Sequence, residues 1–398
     1  MNKNEKVKQI QHHLQKEGVD GWLLYDFHRN NPLAHFFLEI SPKTMVTRRF
    51  FYWIPKEGDP IRIVHAIEPQ ILDEWPGTKK IFSSWQILEK EIGALVRRTK
   101  RIAMEYSPKN ENPYISFVDA GTVDLVRSFG AQVVSSSSFL VYFTEVLTKS
   151  QGESHIRAAL ALDTIVKKTW QWIAEQVKKN AVLSEFQIQK WILGCFEEAH
   201  LAIIDPPIVA INAHSADPHF ETSNNGAKLQ KGDFLLIDLW GKEKGQGAVF
   251  GDLTRVCVLA KEPTKKQMEV FSIVRKAQKA GIDRIKQCFQ EKKPILGFEV
   301  DDVVRGVIRE AGFEKYFIHR TGHSIGSEHL HGSGTHLDNL EMHETRPLVP
   351  GSCFSVEPGI YLPGEFGVRL ESDVYIHLDG KVEVTGGEQD QIECLLQA

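Results

Sequence analysis

The sequence predicts a two-part α/β (α+β) chain, with a small α/β domain over residues 1–149 and a larger domain over residues 150–398. Three observations lead there. Short apolar runs alternate with polar helical stretches in the first part. Long amphipathic stretches with helix-start signals dominate the second. The second part also repeats its plan, helix pair then strands, twice over.

In the first part, Gly21–Tyr25, Phe50–Ile54, Ile61–Val64 and Ile102–Met104 read as strands, with helices at Glu5–Lys16 and Trp85–Arg98 between them. That order suggests a small mixed or parallel sheet with helices packed on it. No Gly-rich phosphate loop lies at a strand–helix junction. The polar segment Thr148–Glu153 marks the boundary. Beyond it, Ala159, Leu162, Val166, Trp170, Ile173 and Val177 recur at helical steps. Ser184 with Gln187, and Thr264 with Gln267, are capping boxes that open two further helices, and a fourth covers about Val300–Glu310. Strands are expected at Phe234–Asp238, Leu253–Leu259, Cys353–Glu357 and Val368–Ile376.

Composition narrows the function classes. A net charge of −4, from 48 basic and 52 acidic side chains, lacks the basic footprint of a nucleic-acid binder. No run of about 18 apolar residues suggests a membrane span, and the polar Met1–Gln9 does not read as a secretory signal. Five scattered cysteines are expected to be reduced thiols in a cytoplasmic protein.

The chemistry concentrates in carboxylates. Asp238 and Asp252 are 14 residues apart, as are Glu357 and Glu371, and each pair brackets a Gly-rich stretch that could join two paired strands. Alone, Asp238 reads as a turn residue at the end of an apolar strand. Alternation places Asp252 and Thr254 on one strand face and Arg255 on the other, so a charged Asp252 would need another cation. Arg369 and Glu371 share a face, where a salt bridge competes with a metal. His323 lies between Gly322 and Gly326, in a loop that permits close approach. Four gathered carboxylates carry −4, and like-charge repulsion would protonate some of them unless two divalent ions neutralised the set. Such ions would lie about 3.5–4 Å apart and bring the pKa of a bridging water from 15.7 toward about 7. Carboxylates with one imidazole suit manganese first, with cobalt, iron or zinc as alternatives.

Six ordered segments resemble the aminopeptidase P, prolidase and methionine aminopeptidase superfamily. They are Ala216–Phe220, Lys231-Gly232-Asp233 leading to Asp238, Gly251–Arg255, Thr321–Gly326, Val356–Tyr361 and Gly367–Glu371. The resemblance implies a pita-bread fold, a curved antiparallel sheet with outer helices and pseudo-twofold symmetry. By motif, Asp238 resembles a terminal bidentate ligand and Asp252 and Glu371 the bridging carboxylates. His323 and Glu357 resemble ligands of the second metal, and Glu357 also the proton shuttle to the leaving amine. His219 and His331 resemble histidines that contact the scissile carbonyl or the intermediate, with His329 a substitute for His331, and Arg369 resembles an arginine bracing the site. The first 148 residues are similar to the N-terminal domain of the prolidase and aminopeptidase P branch. That implies a homodimeric peptidase whose metal-activated hydroxide cleaves peptides with proline at the second position. Arg29–Leu33 loosely resembles a site-facing loop of that branch, although it also reads as a plain turn. The chain departs from the pattern at a small insertion, Lys242–Ala248, at the spacing of His331 from His323, and at Trp240, where small residues are usual. The rival readings are another metal-dependent hydrolase or lyase of the same fold, and a metal-free peptide-binding module.

Overall fold

Asn2 starts the first helix with a capping box, accepting a hydrogen bond from the Glu5 amide while the Glu5 side chain bonds back to the Asn2 amide. The helix, α1 (Lys3–Glu17), buries Val7, Ile10 and Leu14 at steps of three and four. The computed structural model describes residues 2–144 and 146–396. Contacts divide the chain into two units, Met1–Thr144 and Glu145–Ala398.

After α1 come β1 (Gly21–Asp26), α2 (Pro32–Phe37), β2 (Phe50–Pro55), β3 (Ile61–His65), β4 (Thr78–Phe82), α3 (Trp85–Val96), β5 (Arg101–Met104), α4 (Ala120–Ser128), β6 (Gln132–Ser135) and α5 (Ser137–Thr144). The strands form one mixed sheet in the order β4-β3-β2-β1-β5-β6. The β1–β2 and β2–β3 pairs are antiparallel and the others parallel. The four expected strands form its centre. The two edges, β4 and β6, were not expected, because edge strands face water on one side and their composition is polar. Residues 29–33 form a turn closed by Asp26, whose carboxylate accepts from the Arg29 amide at 3.0 Å and the Asn31 amide at 2.8 Å, and Asn31 caps α2.

The second unit opens with the capping box of Thr148 and Gln151, which starts α6 (Lys149–Lys178). Then follow α7 (Glu185–Glu198), β7 (Leu201–Ala202), β8 (Ile208–Ile211), β9 (Phe234–Glu243), β10 (Gly251–Val258), α8 (Lys265–Gln290) and α9 (Gly297–Glu310). The chain continues through β11 (Cys353–Val356), β12 (Gly359–Leu362), β13 (Phe366–Arg369), β14 (Ser372–Ile376), β15 (Val382–Thr385) and β16 (Glu393–Cys394). The strands form three groups: β16-β10-β9-β7 with β8 also on β9, β11-β14-β15, and β12-β13. All pairs are antiparallel but β10–β16, which is parallel.

The repeat is visible in the packing. Leu162, Ile173 and Ile192 of α6 and α7 pack with Leu235 and Leu253 of the first strand pair. Val274, Ile285 and Val304 of α8 and α9 pack with Phe354 and Val368 of the second. Fully burying each such side chain stabilises the fold by about 1.5–3 kcal/mol. Several strand limits differ from expectation. β9 does not stop at Asp238 but runs to Glu243, because pairing with β10 and β7 supplies hydrogen bonds to its polar end. The run Val368–Ile376 is broken at Leu370–Glu371, and Glu357 lies just past β11. Among the described residues, no helix is long and apolar enough to cross a membrane.

Candidate metal centre

Strand register sets the first half of the site. Asp238 pairs with Thr254 and Trp240 with Asp252, so these four side chains share one face of the β9–β10 hairpin. In the second half, both chains interrupt their pairing at the carboxylates. Val356 pairs with Ser372 and Gly359 with Arg369, leaving Glu357 and Glu371 at facing breaks. The Glu371 amide donates to Thr254 O at 3.3 Å, and the Thr254 hydroxyl donates to Glu371 Oε2 at 2.6 Å, tying the two halves together.

His323 enters on a third segment, where close backbone approach is required. A Cβ on Gly322 would lie 2.0 Å from Ser355 O. That approach lets the His323 amide donate to Ser355 Oγ at 3.0 Å and the Ser355 amide donate to His323 O at 2.9 Å. The Ser355 hydroxyl in turn donates to Glu357 Oε1 at 3.1 Å. His323 Nδ1 is 3.0 Å from Ser324 O, which can only accept, so Nδ1 carries the proton. The Nε2 lone pair then faces Asp252 Oδ2 at 3.4 Å and Glu357 Oε1 at 3.6 Å.

A lone pair directed at two carboxylate oxygens is repulsive unless a cation lies between them. Other observations also fit a cation. Donor atoms of Asp252, His323 and Glu371 lie within 4.8 Å of one another. Asp238 Oδ1 and Asp252 Oδ1 are buried with no hydrogen-bond partner. Burial, then repulsion from Asp238 and Glu357, pushes the Asp252 carboxyl well above the usual range. Burial, then Asp252, does the same to Glu371, and burial raises Glu357. His323 is held below the usual histidine range, chiefly by burial, so the imidazole is neutral and suited to ligation. The residues present therefore fit divalent ions.

All five candidate ligands, with His219, His329, His331 and Arg369, line one cavity of about 770 Å³. Arg369 does not form the salt bridge with Glu371 that a shared face suggests. Its guanidinium reaches across to Asp238 Oδ2 at 2.5 Å, to the Thr254 hydroxyl at 3.1 Å and to Tyr361 OH at 3.0 Å. β13 ends at Arg369, so Glu371 lies past the end of that strand. Arg255 is directed elsewhere, to the carbonyls of Glu371, Gly386 and Gly387. The His331 ring is 4.0 Å from that of His323, centroid to centroid. Loss of water, with His323 and Arg320 nearby, holds His331 well below the usual histidine range. His219 is exposed at the cavity wall, its amide donating to Asp217 Oδ1 at 3.0 Å.

Sequence reasoning missed Asp373, Ser355 and the chain Arg369–Tyr361–His319. Asp373 Oδ2 accepts from the Asp252 amide at 2.8 Å, 121 residues away in sequence. Burial, then the charge of Asp252, drives the Asp373 carboxyl well up. His319 Nε2 lies 2.7 Å from Tyr361 OH. Asp373 sits two residues past Glu371, the strand period, which was the one available signal.

Four carboxylates and a neutral imidazole converging on one cavity define a metalloprotein of the carboxylate–histidine class. More specifically, the chain belongs to metallopeptidase family M24, whose profile matches residues 153–377, and that membership implies divalent metal ions. It is similar to a probable dipeptidase PepE of Mycobacterium tuberculosis, 36% identical over 181 residues, 44% of this chain and 43% of that protein. The chain thus aligns with less than half the length of that relative. It is also similar to an Xaa-Pro dipeptidase of Lactobacillus delbrueckii subsp. lactis, 31% identical over 246 residues, 61% of each protein. Among solved structures, dipeptidase PepE of Mycobacterium ulcerans matches with a TM-score of 0.67 at 21% identity, covering 98% of this chain and 97% of that one. That last likeness bears on the fold alone, across both units.

Proposed function

We propose that the chain hydrolyses peptides with proline at the second position, using two divalent ions held by Asp238, Asp252, His323, Glu357 and Glu371. The observation that carries this reading is the convergence of those five side chains on one cavity, with two buried carboxylate oxygens lacking any hydrogen bond. Membership of a metallopeptidase family and similarity to proteins named Xaa-Pro dipeptidase support the substrate class. Manganese is the first candidate, because hard oxygen donors with a single imidazole favour it. Cys195, Cys257, Cys288 and Cys394 are free thiols, which supports a reducing, cytoplasmic setting.

Bound ions would supply Lewis acidity at the scissile carbonyl and bring the ionisation of water near neutral pH. The chain's own groups do the rest. Arg369 holds Asp238 by a charge-assisted bond and fixes Tyr361 in the same fork. His331 Nδ1 lies 3.4 Å from Arg320 Nη2, which can only donate, so Nε2 of the neutral ring carries the proton and can donate to an oxyanion. Glu357, held by the Ser355 hydroxyl, can carry a proton to the departing nitrogen.

The test is a cleavage panel of Xaa-Pro dipeptides, longer Xaa-Pro peptides and non-peptide amidines, assayed with manganese, cobalt or zinc added to metal-stripped protein. Metal-dependent release of the first residue from Xaa-Pro substrates supports the reading. Cleavage of amidines alone, or none at all, overturns it.

A further inference from the structure

Trp240 stands beside the candidate ligands without being one. It is paired with Asp252 across the hairpin and lies two residues beyond Asp238, so its indole rises from the face that carries both aspartates. Cross-strand partners place their Cβ atoms about 4.5–5.5 Å apart, so the Trp240 side chain starts beside that of Asp252. With Leu330, Trp240 lines the cavity, and both pack on the cluster of Val249, Phe250 and Ile325.

That wall is braced from behind. Lys242, on the same strand face, lays its ammonium 4.6 Å from the centre of the Phe250 ring and donates to Ser327 O. The Phe250 amide donates to Gly326 O at 3.2 Å, and the Gly326 amide to Leu330 O at 3.2 Å. The segment 326–330 is thereby tied to the hairpin, behind the packed side chains of Trp240 and Leu330. Glu357, the proposed proton carrier, comes instead from the second half of the site, as does Arg369, which is linked through Tyr361 to His319. A departing nitrogen held toward Glu357 would leave the acyl residue of the substrate toward the hairpin that carries Trp240.

We infer that Trp240, backed by Leu330, limits the size of the N-terminal side chain the enzyme accepts, favouring glycine or alanine before proline over leucine or phenylalanine. This rests on the Xaa-Pro reading. A rigid wall discriminates by excluded volume, and pocket-size discrimination of this kind is worth about 10–200-fold per unfilled or excluded methylene.

The experiment compares kcat/KM of metal-loaded wild type, Trp240→Phe and Trp240→Ala on Gly-Pro, Ala-Pro, Leu-Pro and Phe-Pro substrates. The Phe-Pro to Ala-Pro ratio is expected to rise at least about ten-fold in Trp240→Ala, mainly through KM, and by less in Trp240→Phe. Calorimetric binding of free phenylalanine and alanine gives a readout independent of turnover, and phenylalanine should gain affinity in the same order. Should Trp240→Ala fail to fold, Trp240→Phe decides. Ratios that stay within two-fold of wild type in the folded variants overturn the inference and leave the Xaa-Pro reading standing. A wild type that cleaves none of the panel overturns both.

Discussion

Replacing Gly322 by alanine tests whether close approach at His323 builds the site. The new Cβ would fall 2.0 Å from Ser355 O and 2.8 Å from Ser355 C, so the two segments must separate by at least about 1 Å. Three hydrogen bonds span that contact: Ser355 N to His323 O at 2.9 Å, His323 N to Ser355 Oγ at 3.0 Å, and Glu357 N to Thr321 O at 2.7 Å. Each contributes about 0.5–1.5 kcal/mol. Overpacking a tight core adds about 1–3 kcal/mol. The total, roughly 3–7 kcal/mol, lowers the melting temperature by at least about 6 °C at ~2 °C per kcal/mol. Because the separation moves both His323 and Glu357, divalent-ion affinity should also fall by about 10–100-fold, as when supports of metal ligands are lost. Thermal unfolding with and without added manganese, and calorimetric titration, read both effects. Gly306→Ala in α9 is the control, since its Cβ meets nothing nearer than 3.9 Å and helix propensity favours alanine. The reasoning is refuted if Gly322→Ala melts within about a degree of wild type and binds metal equally well.

Two further outcomes follow from the same contacts. Arg369→Lys keeps the charge but loses the planar fork that joins Asp238, Thr254 and Tyr361, so kcat/KM should fall at least about ten-fold, and full activity in steady-state assays would contradict that role. In the first unit, Glu105 is buried with bonds from Trp22, Asn31 and Ser136, and burial pushes its carboxyl up to about 7. Its folded pKa exceeds its unfolded value, so the folded state holds the extra proton and stability declines as pH rises from about 4.5 to about 7, by roughly 3 kcal/mol. Glu105→Gln should remove that slope, making the variant more stable relative to wild type at pH 8 than at pH 5 in denaturant titrations, and parallel pH profiles would exclude it.

Much of this fold was legible because it is written in local signals. Capping boxes at Ser184 and Thr264 open α7 and α8 where expected. Central strands such as β2 are apolar on both faces and stand out, whereas β4 shows a solvent-facing lysine pair and β6 is four residues long. Equal spacing within the two carboxylate pairs pointed to paired hairpins, yet it could not show that the second hairpin is interrupted at Glu357 and Glu371. Partners were the hardest to foresee. Arg369 bonds Asp238, 131 residues away, and Asp373 bonds the amide of Asp252, because register across sheets decides which side chains meet and no local pattern encodes it.

The most direct test is the number of divalent ions bound per chain, measured by calorimetric titration of metal-stripped protein and elemental analysis, in wild type and in Asp252→Asn. Asp252 faces His323 and lies within the ligand cluster, so wild type should take up two ions and the variant should lose at least one of them or bind both far more weakly. A wild type that binds no divalent ion, or an Asp252→Asn protein that matches wild type in number and affinity, would contradict a metal centre built on these carboxylates.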